Sequence, residues 1–206
     1  DIEKELLRKT VFFPALGNHE RNNRQYYEFF DVNMPYYSYN WGSSHFVVLD
    51  TDIGSISVSE LAREGFWAEQ MRWLENDLEK NQKADMIFAA FHHPPFTAVK
   101  SRQIRNERLE MLVQIFEKYK VTAVFNGHDH NYQHHVKNGI HYIVTGGGGA
   151  PLYPVNAPIA GMTVKVVSTE HFVNVKVEGK TAKAQAIALD GSVLDTVELG
   201  RQAGSK

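Results

Sequence analysis

Val121-Thr122-Ala123-Val124-Phe125, running directly into Asn126-Gly127-His128-Asp129-His130, is the stretch on which the reading of this chain turns. The first five residues are an apolar, β-rich run of the length of a buried strand. The next five set two imidazoles, a carboxylate and an amide around one glycine. Ligands of α/β sheets gather beyond the carboxyl ends of strands, so a strand that empties into metal-binding residue types reads as one wall of a site. His128 and His130 stand two apart, and in an extended segment both rings should project to the same side.

The same pattern occurs twice upstream. Asp85 to Phe91 reads as a strand that ends in His92-His93-Pro94-Pro95. Val11-Phe12-Phe13 reads as a short buried strand that runs into Gly17-Asn18-His19-Glu20. Taken alone, Gly-Asn-His-Glu is a turn and His-His-Pro-Pro a rigid loop. Three such endings in order, on strands that are parallel neighbours, put all the polar clusters on one edge of a sheet. Neutral imidazole is the commonest nitrogen donor to zinc, iron and manganese, and an asparagine oxygen suits a harder ion. The chain has no cysteine, so thiolate ligands and disulfides are excluded.

The intervening segments alternate in type. Tyr36 to Asn40 and His45 to Asp50 are β-rich runs joined by Trp41-Gly42-Ser43-Ser44, a hairpin signal. Phe66 to Lys80 predicts a helix, with Trp67, Met71, Leu74 and Leu78 on one stripe. Arg105 to Tyr119 predicts a second, burying Leu109, Leu112, Val113, Phe116 and Tyr119. His141 to Thr145 reads as a strand entering Gly146-Gly147-Gly148-Gly149, a run without the Lys-Ser/Thr of a nucleotide-binding loop. Beyond it, Met162–Val167, Phe172–Val177, Ala182–Leu189 and Val193–Leu199 read as an antiparallel meander over 162–199, with a frayed Gly204-Ser205-Lys206. With no linker or repeat, residues 1–206 are expected to form a single domain.

Composition excludes some classes of function. Of 206 residues, 43% are hydrophobic and 22% charged, the balance of a globular domain, and the net charge of -2 offers no pull toward nucleic acid or anionic membrane. No apolar run approaches the roughly 20 residues of a membrane span.

Gly17-Asn18-His19-Glu20, His92-His93-Pro94 and Gly127-His128-Asp129-His130 resemble the third, fourth and fifth motifs of the calcineurin-like metallophosphoesterases. Tyr37–Gly42, Phe46–Thr51, Gln70–Leu74, Asn131-Tyr132 and Thr145–Tyr153 extend the likeness to the purple acid phosphatase branch. The resemblance implies an α/β fold of four layers, α-β-β-α, with two mixed sheets face to face and helices outside. It implies hydrolysis of phosphate mono- or diesters, small-molecule substrates, at two ions of iron, zinc or manganese. Asn18, His92 and His128 would bind the second ion and His130 the first, with His93 the poorer candidate. His19 would stand by the phosphate and protonate the leaving oxygen. Glu20 and Asp129 would support the site rather than ligate, and His45, His134, His135, His141 and His171 would not be ligands, though His134 and His135 could line a substrate rim. The branch suggests a secreted or periplasmic protein.

The family's first two motifs, Asp-x-His and Gly-Asp-x-x-Asp, are absent from these 206 residues. The expectation is therefore a truncated chain, the carboxy-terminal two-thirds of the enzyme and incomplete at its amino terminus. Asn18, His92, His128 and His130 are all neutral donors, whereas two divalent ions about 3.5 Å apart repel by roughly 19 kcal/mol at an effective dielectric of about 20. Carboxylates normally offset that repulsion. This chain alone is expected to hold one ion or none and to be inactive, and to self-associate through an exposed sheet edge. The alternative to an enzyme is a catalytically incomplete fragment that folds.

Overall fold

The computed structural model describes Glu5 and residues 8–201; the expectation for Gly204-Ser205-Lys206 falls outside them. Its centre is a seven-stranded mixed sheet with β1 (Tyr37–Trp41), β2 (Ser44–Val48), β3 (Met86–Phe91), β4 (Ala123–Asn126), β5 (Tyr132–Lys137), β6 (Ile140–Thr145) and β7 (Thr163–Val167). The spatial order is β1-β2-β3-β4-β6-β5-β7. β2, β3, β4 and β6 run parallel. β1 closes one edge as an antiparallel hairpin partner, and β5 pairs antiparallel with both β6 and β7. A second sheet of β8 (His171–Glu178), β9 (Thr181–Ala188) and β10 (Val193–Gly200) is antiparallel throughout.

Among the described residues three α-helices accompany the strands, one ahead of β1 and two between strands. α1 (Arg24–Phe30) is short and is capped by the Asn23 side chain on Gln25 N. α2 (Glu60–Lys80) starts six residues before the sequence stripe suggests, because Ser59 caps it by accepting from Ala62 N. α3 (Glu107–Tyr119) begins where Asn106 accepts from the Arg108 and Leu109 amides. The predicted stripes are the faces these helices bury. Trp67, Met71, Leu74 and Leu78 of α2 and Leu109, Leu112, Val113 and Phe116 of α3 pack on Val47, Ile87, Ala89, Phe91 and Val124 of the sheet. The opposite face of the sheet, with Met86, Phe88, Ala123, Tyr132 and Ile143, is covered by Ala182, Ala184, Ala186, Val197 and Leu199 of the small sheet. The small side chains of β9 let the two sheets approach closely. Strands buried on both faces read as unbroken apolar runs, which is why β3 and β4 were visible without alternation.

Several expectations are corrected. Val11-Phe12-Phe13 is not a buried strand: residues 11–17 have no regular structure, and the three side chains are 63%, 50% and 39% exposed. They are held by stacking instead, Phe13 on Tyr39 and Phe12 on Phe30. Met162–Val167 supplies β7, which joins the large sheet beside β5, so only β8, β9 and β10 form the meander. β5 itself was not foreseen, because Tyr132-Gln133-His134-His135 looks polar. Its polar atoms are satisfied inside: Gln133 Oε1 accepts from Ala98 N, and His135 bonds Thr163 and Gln133. His134 and His135 are therefore buried within the fold and do not line a rim.

Candidate metal centre

The carboxyl ends of β2, β3, β4 and β6 lie side by side, and the polar clusters leave from them. Two backbone-directed bonds align the middle pair: Asn126 Nδ2 donates to Phe91 O at 2.9 Å and Gly127 N to His92 O at 3.1 Å. His92 and His128 are thereby set facing one another, with His128 Nδ1 3.0 Å from His92 Nε2. The loop carrying Asn18 joins them from the amino-terminal side. Asn18 Oδ1 lies 2.6 Å from His92 Nε2 and 3.3 Å from His128 Nδ1. Glu20 pins that loop by accepting from Gly17 N at 2.8 Å. Gly17 has to be glycine here, because a Cβ would stand 2.7 Å from His92 Nδ1.

His93 belongs to the same cluster. His92, His93 and His128 each offer a ring nitrogen within 4.8 Å of the others. His93 is held by Thr51, whose Oγ1 accepts from the His93 amide at 3.0 Å and sits 3.1 Å from Nδ1.

His130 lies outside this converging group, though near enough for its charge to act on His92 and His128. The segment between β4 and β5 is bent rather than extended, and His128 has a left-handed backbone with φ 64. The two-residue alternation that would have aligned the two rings therefore does not operate. His130 Nδ1 donates to Pro151 O at 2.8 Å and its ring stacks on Tyr153, which leaves Nε2 as a bare acceptor. His19 is exposed and has no hydrogen-bond partner among the described residues. Asp129, between the two histidines, is wholly buried: its Oδ2 accepts from Thr97 and from Gln133 Nε2, and its Oδ1 faces Arg102 Nη1 at 3.2 Å. The loop after β6 packs against it so closely that a Cβ on Gly146 would meet Asp129 O at 2.0 Å.

Burial sets the protonation of the cluster. Desolvation first, and then the charges of neighbouring groups, push His92 down to about 4 and His128 to about 3; His93 moves the same way. All three are neutral near pH 7, with lone pairs available to a cation. Donors bound tetrahedrally at the zinc–imidazole distance of about 2.0–2.1 Å stand about 3.3–3.4 Å apart. The 3.3 Å between Asn18 Oδ1 and His128 Nδ1 suits one ion, and the 2.6 and 3.0 Å contacts of His92 Nε2 would open to admit it. Among the described residues no carboxylate joins the converging group. Three neighbouring residues went unnoticed in the sequence. Arg102 sits in a polar loop with no pattern to flag it, and Asp50 and Asp52, beyond β2, are buried, each with one oxygen that finds no partner.

A family model described as calcineurin-like phosphoesterase matches residues 2–132. Purple acid phosphatase 15 of Arabidopsis thaliana is 32% identical over 125 residues, 55% of this chain and 22% of that protein. Tartrate-resistant acid phosphatase type 5 of Oryctolagus cuniculus is 33% identical over 90 residues, 43% of this chain and 26% of that protein. The chain thus spans about a quarter or less of the length of these relatives. A purple acid phosphatase from yellow lupin (Lupinus luteus) seeds superposes with a TM-score of 0.67 at 20% identity, over 95% of this chain and 35% of that one. GAP50, the anchor in the inner membrane complex of Plasmodium, superposes with a TM-score of 0.67 at 17% identity, over 83% of this chain and 56% of that one.

Proposed function

The chain belongs to the calcineurin-like phosphoesterase family, and from that premise we propose that it builds the imidazole wall of a metal centre that hydrolyses phosphate mono- or diesters. The observation that carries the reading is the convergence of Asn18, His92 and His128, from three distant segments, on one point at the carboxyl edge of the sheet. Asn18, His92 and His128 hold the ion, and His93, steadied by Thr51, flanks it. An ion held there supplies Lewis acidity toward a phosphoryl oxygen and lowers the pKa of water. His19, exposed beside the cluster, protonates the departing ester oxygen. His130, with Nε2 free, serves a second ion whose carboxylate ligands this chain does not contribute. One of the relatives, Fe(3+)-Zn(2+) purple acid phosphatase 12 of Arabidopsis thaliana, supports a pair of ions in the complete enzyme.

The absence, among the described residues, of any carboxylate from the converging group favours a second reading for the isolated chain, a folded fragment with one ion or none and no turnover. Cobalt(II) titration, followed by absorbance, separates the two. One ion per chain, lost in His92→Ala and His128→Ala, supports the proposal of a single-ion wall. Two ions per chain with release of p-nitrophenol from its phosphate ester would show the chain complete in itself. No binding at all removes the metal reading.

A further inference from the structure

We propose that Arg102 grips the phosphate oxygens of the substrate, and that its guanidinium makes this pocket select a dianionic monoester over a monoanionic diester; the inference rests on the phosphoesterase reading above. Arg102 ends the short 3₁₀ turn Lys100–Arg102, in the segment that leaves β3 after His92-His93. It lines the same groove as His93, His128 and Asp129. Its charge reaches all three clustered imidazoles and is among the influences that hold them neutral.

The guanidinium is fixed on three sides. Nη1 lies 3.2 Å from Asp129 Oδ1 and 3.5 Å from His128 O, and the group stacks 4.6 Å over the Tyr153 ring. Asp129 is immobilised in turn, since its other oxygen is taken by Thr97 and Gln133. The plane of the fork is therefore set before any ligand arrives. Nε and Nη2 have no acceptor among the described residues, and a guanidinium presents those two donors on one edge, spaced for two oxygens of a phosphate. The side chain is 29% exposed and lines the groove that His93 and His128 also line. A purely structural role, neutralising Asp129, would use Nη1 alone. Because arginine stays charged throughout the working range, it favours the ligand with the larger negative charge. Above a pH of about 6 a monoester carries two charges where a diester carries one.

The test is anion binding by the whole chain, with inorganic phosphate at pH 8 as the dianion and dimethyl phosphate as the diester, measured by calorimetry. Arg102→Lys keeps the charge beside Asp129 but loses the fork. The double change Arg102→Gln with Asp129→Asn removes both charges and so leaves no buried carboxylate uncompensated, which guards against misfolding. The wild-type chain is expected to prefer phosphate. Arg102→Lys, which loses the fork but keeps the charge, should weaken binding of both anions and retain the preference for phosphate, whereas the double variant should bind phosphate about tenfold more weakly or worse, the worth of one charge-assisted bond, with a smaller loss for dimethyl phosphate. Phosphate binding equal to wild type in both variants, an equal loss for both anions in the double variant, or a wild-type chain without preference for phosphate would each overturn the proposal. Cobalt titration of the same variants reads the histidine cluster independently. Cobalt bound normally with phosphate indifferent to Arg102 sinks this inference alone, whereas failure to bind cobalt sinks the phosphoesterase reading.

Discussion

Asp50→Asn should make the protein more stable in mild alkali than in acid, relative to the wild type. Asp50 follows β2 and is 1% exposed. Its backbone is clamped by Gln70 on both sides, N to Oε1 at 2.8 Å and O from Nε2 at 2.9 Å. Its Oδ1 accepts from Asp52 N at 2.7 Å, and its Oδ2 has no partner. Burial, only partly opposed by the Asp52 amide and reinforced by the Asp52 charge, raises the carboxyl to about 6. The folded state thus keeps its proton between pH 3.8 and about 6, where the unfolded chain has already released it. The unfolded state binds fewer protons in that window, so stability falls as pH rises through it and stays lower above it. A shift of about two units corresponds to roughly 3 kcal/mol. Asparagine keeps the acceptor for Asp52 N and abolishes the titration, at a pH-independent penalty of about 1–2 kcal/mol for an amide group without a partner. Subtracting the variant's effect at pH 4 from that at pH 8 removes this penalty and isolates the titration. Urea denaturation at the two pH values, in the presence of a chelator so that only protons compete for the site, should give a difference of about 3 kcal/mol in favour of asparagine. Parallel stability curves for wild type and variant would refute the reasoning, since they would mean that Asp50 ionises in the fold as it does in water.

Two glycine substitutions should separate site from fold. Gly17→Ala sets a methyl 2.7 Å from His92 Nδ1, so the ring must move; cobalt affinity should fall by about tenfold or more while the urea midpoint changes little. Gly146→Ala drives a methyl to 2.0 Å from the Asp129 carbonyl, a backbone atom that cannot swing aside; it should lower stability by about 3 kcal/mol or more, read as a drop in melting temperature.

What was legible in the sequence was periodic. Trp67, Met71, Leu74 and Leu78 announce α2 because they share a stripe, and β3 shows itself because both of its faces are covered. The illegible parts are those where a neighbour decides. Val11-Phe12-Phe13 has the composition of a strand, but among the described residues no sheet edge takes it up, and its rings stack on Tyr39 and Phe30 instead. β5 has the composition of a loop, yet Asp195 accepts from the Tyr132 hydroxyl and lies 3.1 Å from His134 Nδ1, which makes burial of a polar strand possible. β7 could not be told from the strands of the meander, because the choice of sheet rests on pairing with β5 rather than on its own residues. In the site, the motifs bring Asn18, His92 and His128 together, but the left-handed backbone at His128 has no signature in Gly-His-Asp-His. Arg102 lay beyond reach for the same reason: its place is set by Asp129 and Tyr153, which come from other segments.

The imidazoles also explain how one wall of the centre exists without its ion. Three close, protonated histidines would repel one another, and His128 Nδ1 at 3.0 Å from His92 Nε2 leaves room for only one proton between them. Burial resolves this by holding the rings neutral well below the 6.5 of a free imidazole, His92 to about 4 and His128 to about 3. The unfolded chain takes up protons at 6.5 and the folded chain does not, so the cluster lowers stability as pH falls from 6.5 toward 4. The same asymmetry favours metal, because an incoming cation meets neutral rings and has no imidazolium charge to displace at pH 5 or 6. A surface pair of histidines at the same separation would lose its affinity in that range. The fold thus carries a cost in acid in return for ligands that remain ready there, and the free energy of ion binding to the folded chain offsets that cost.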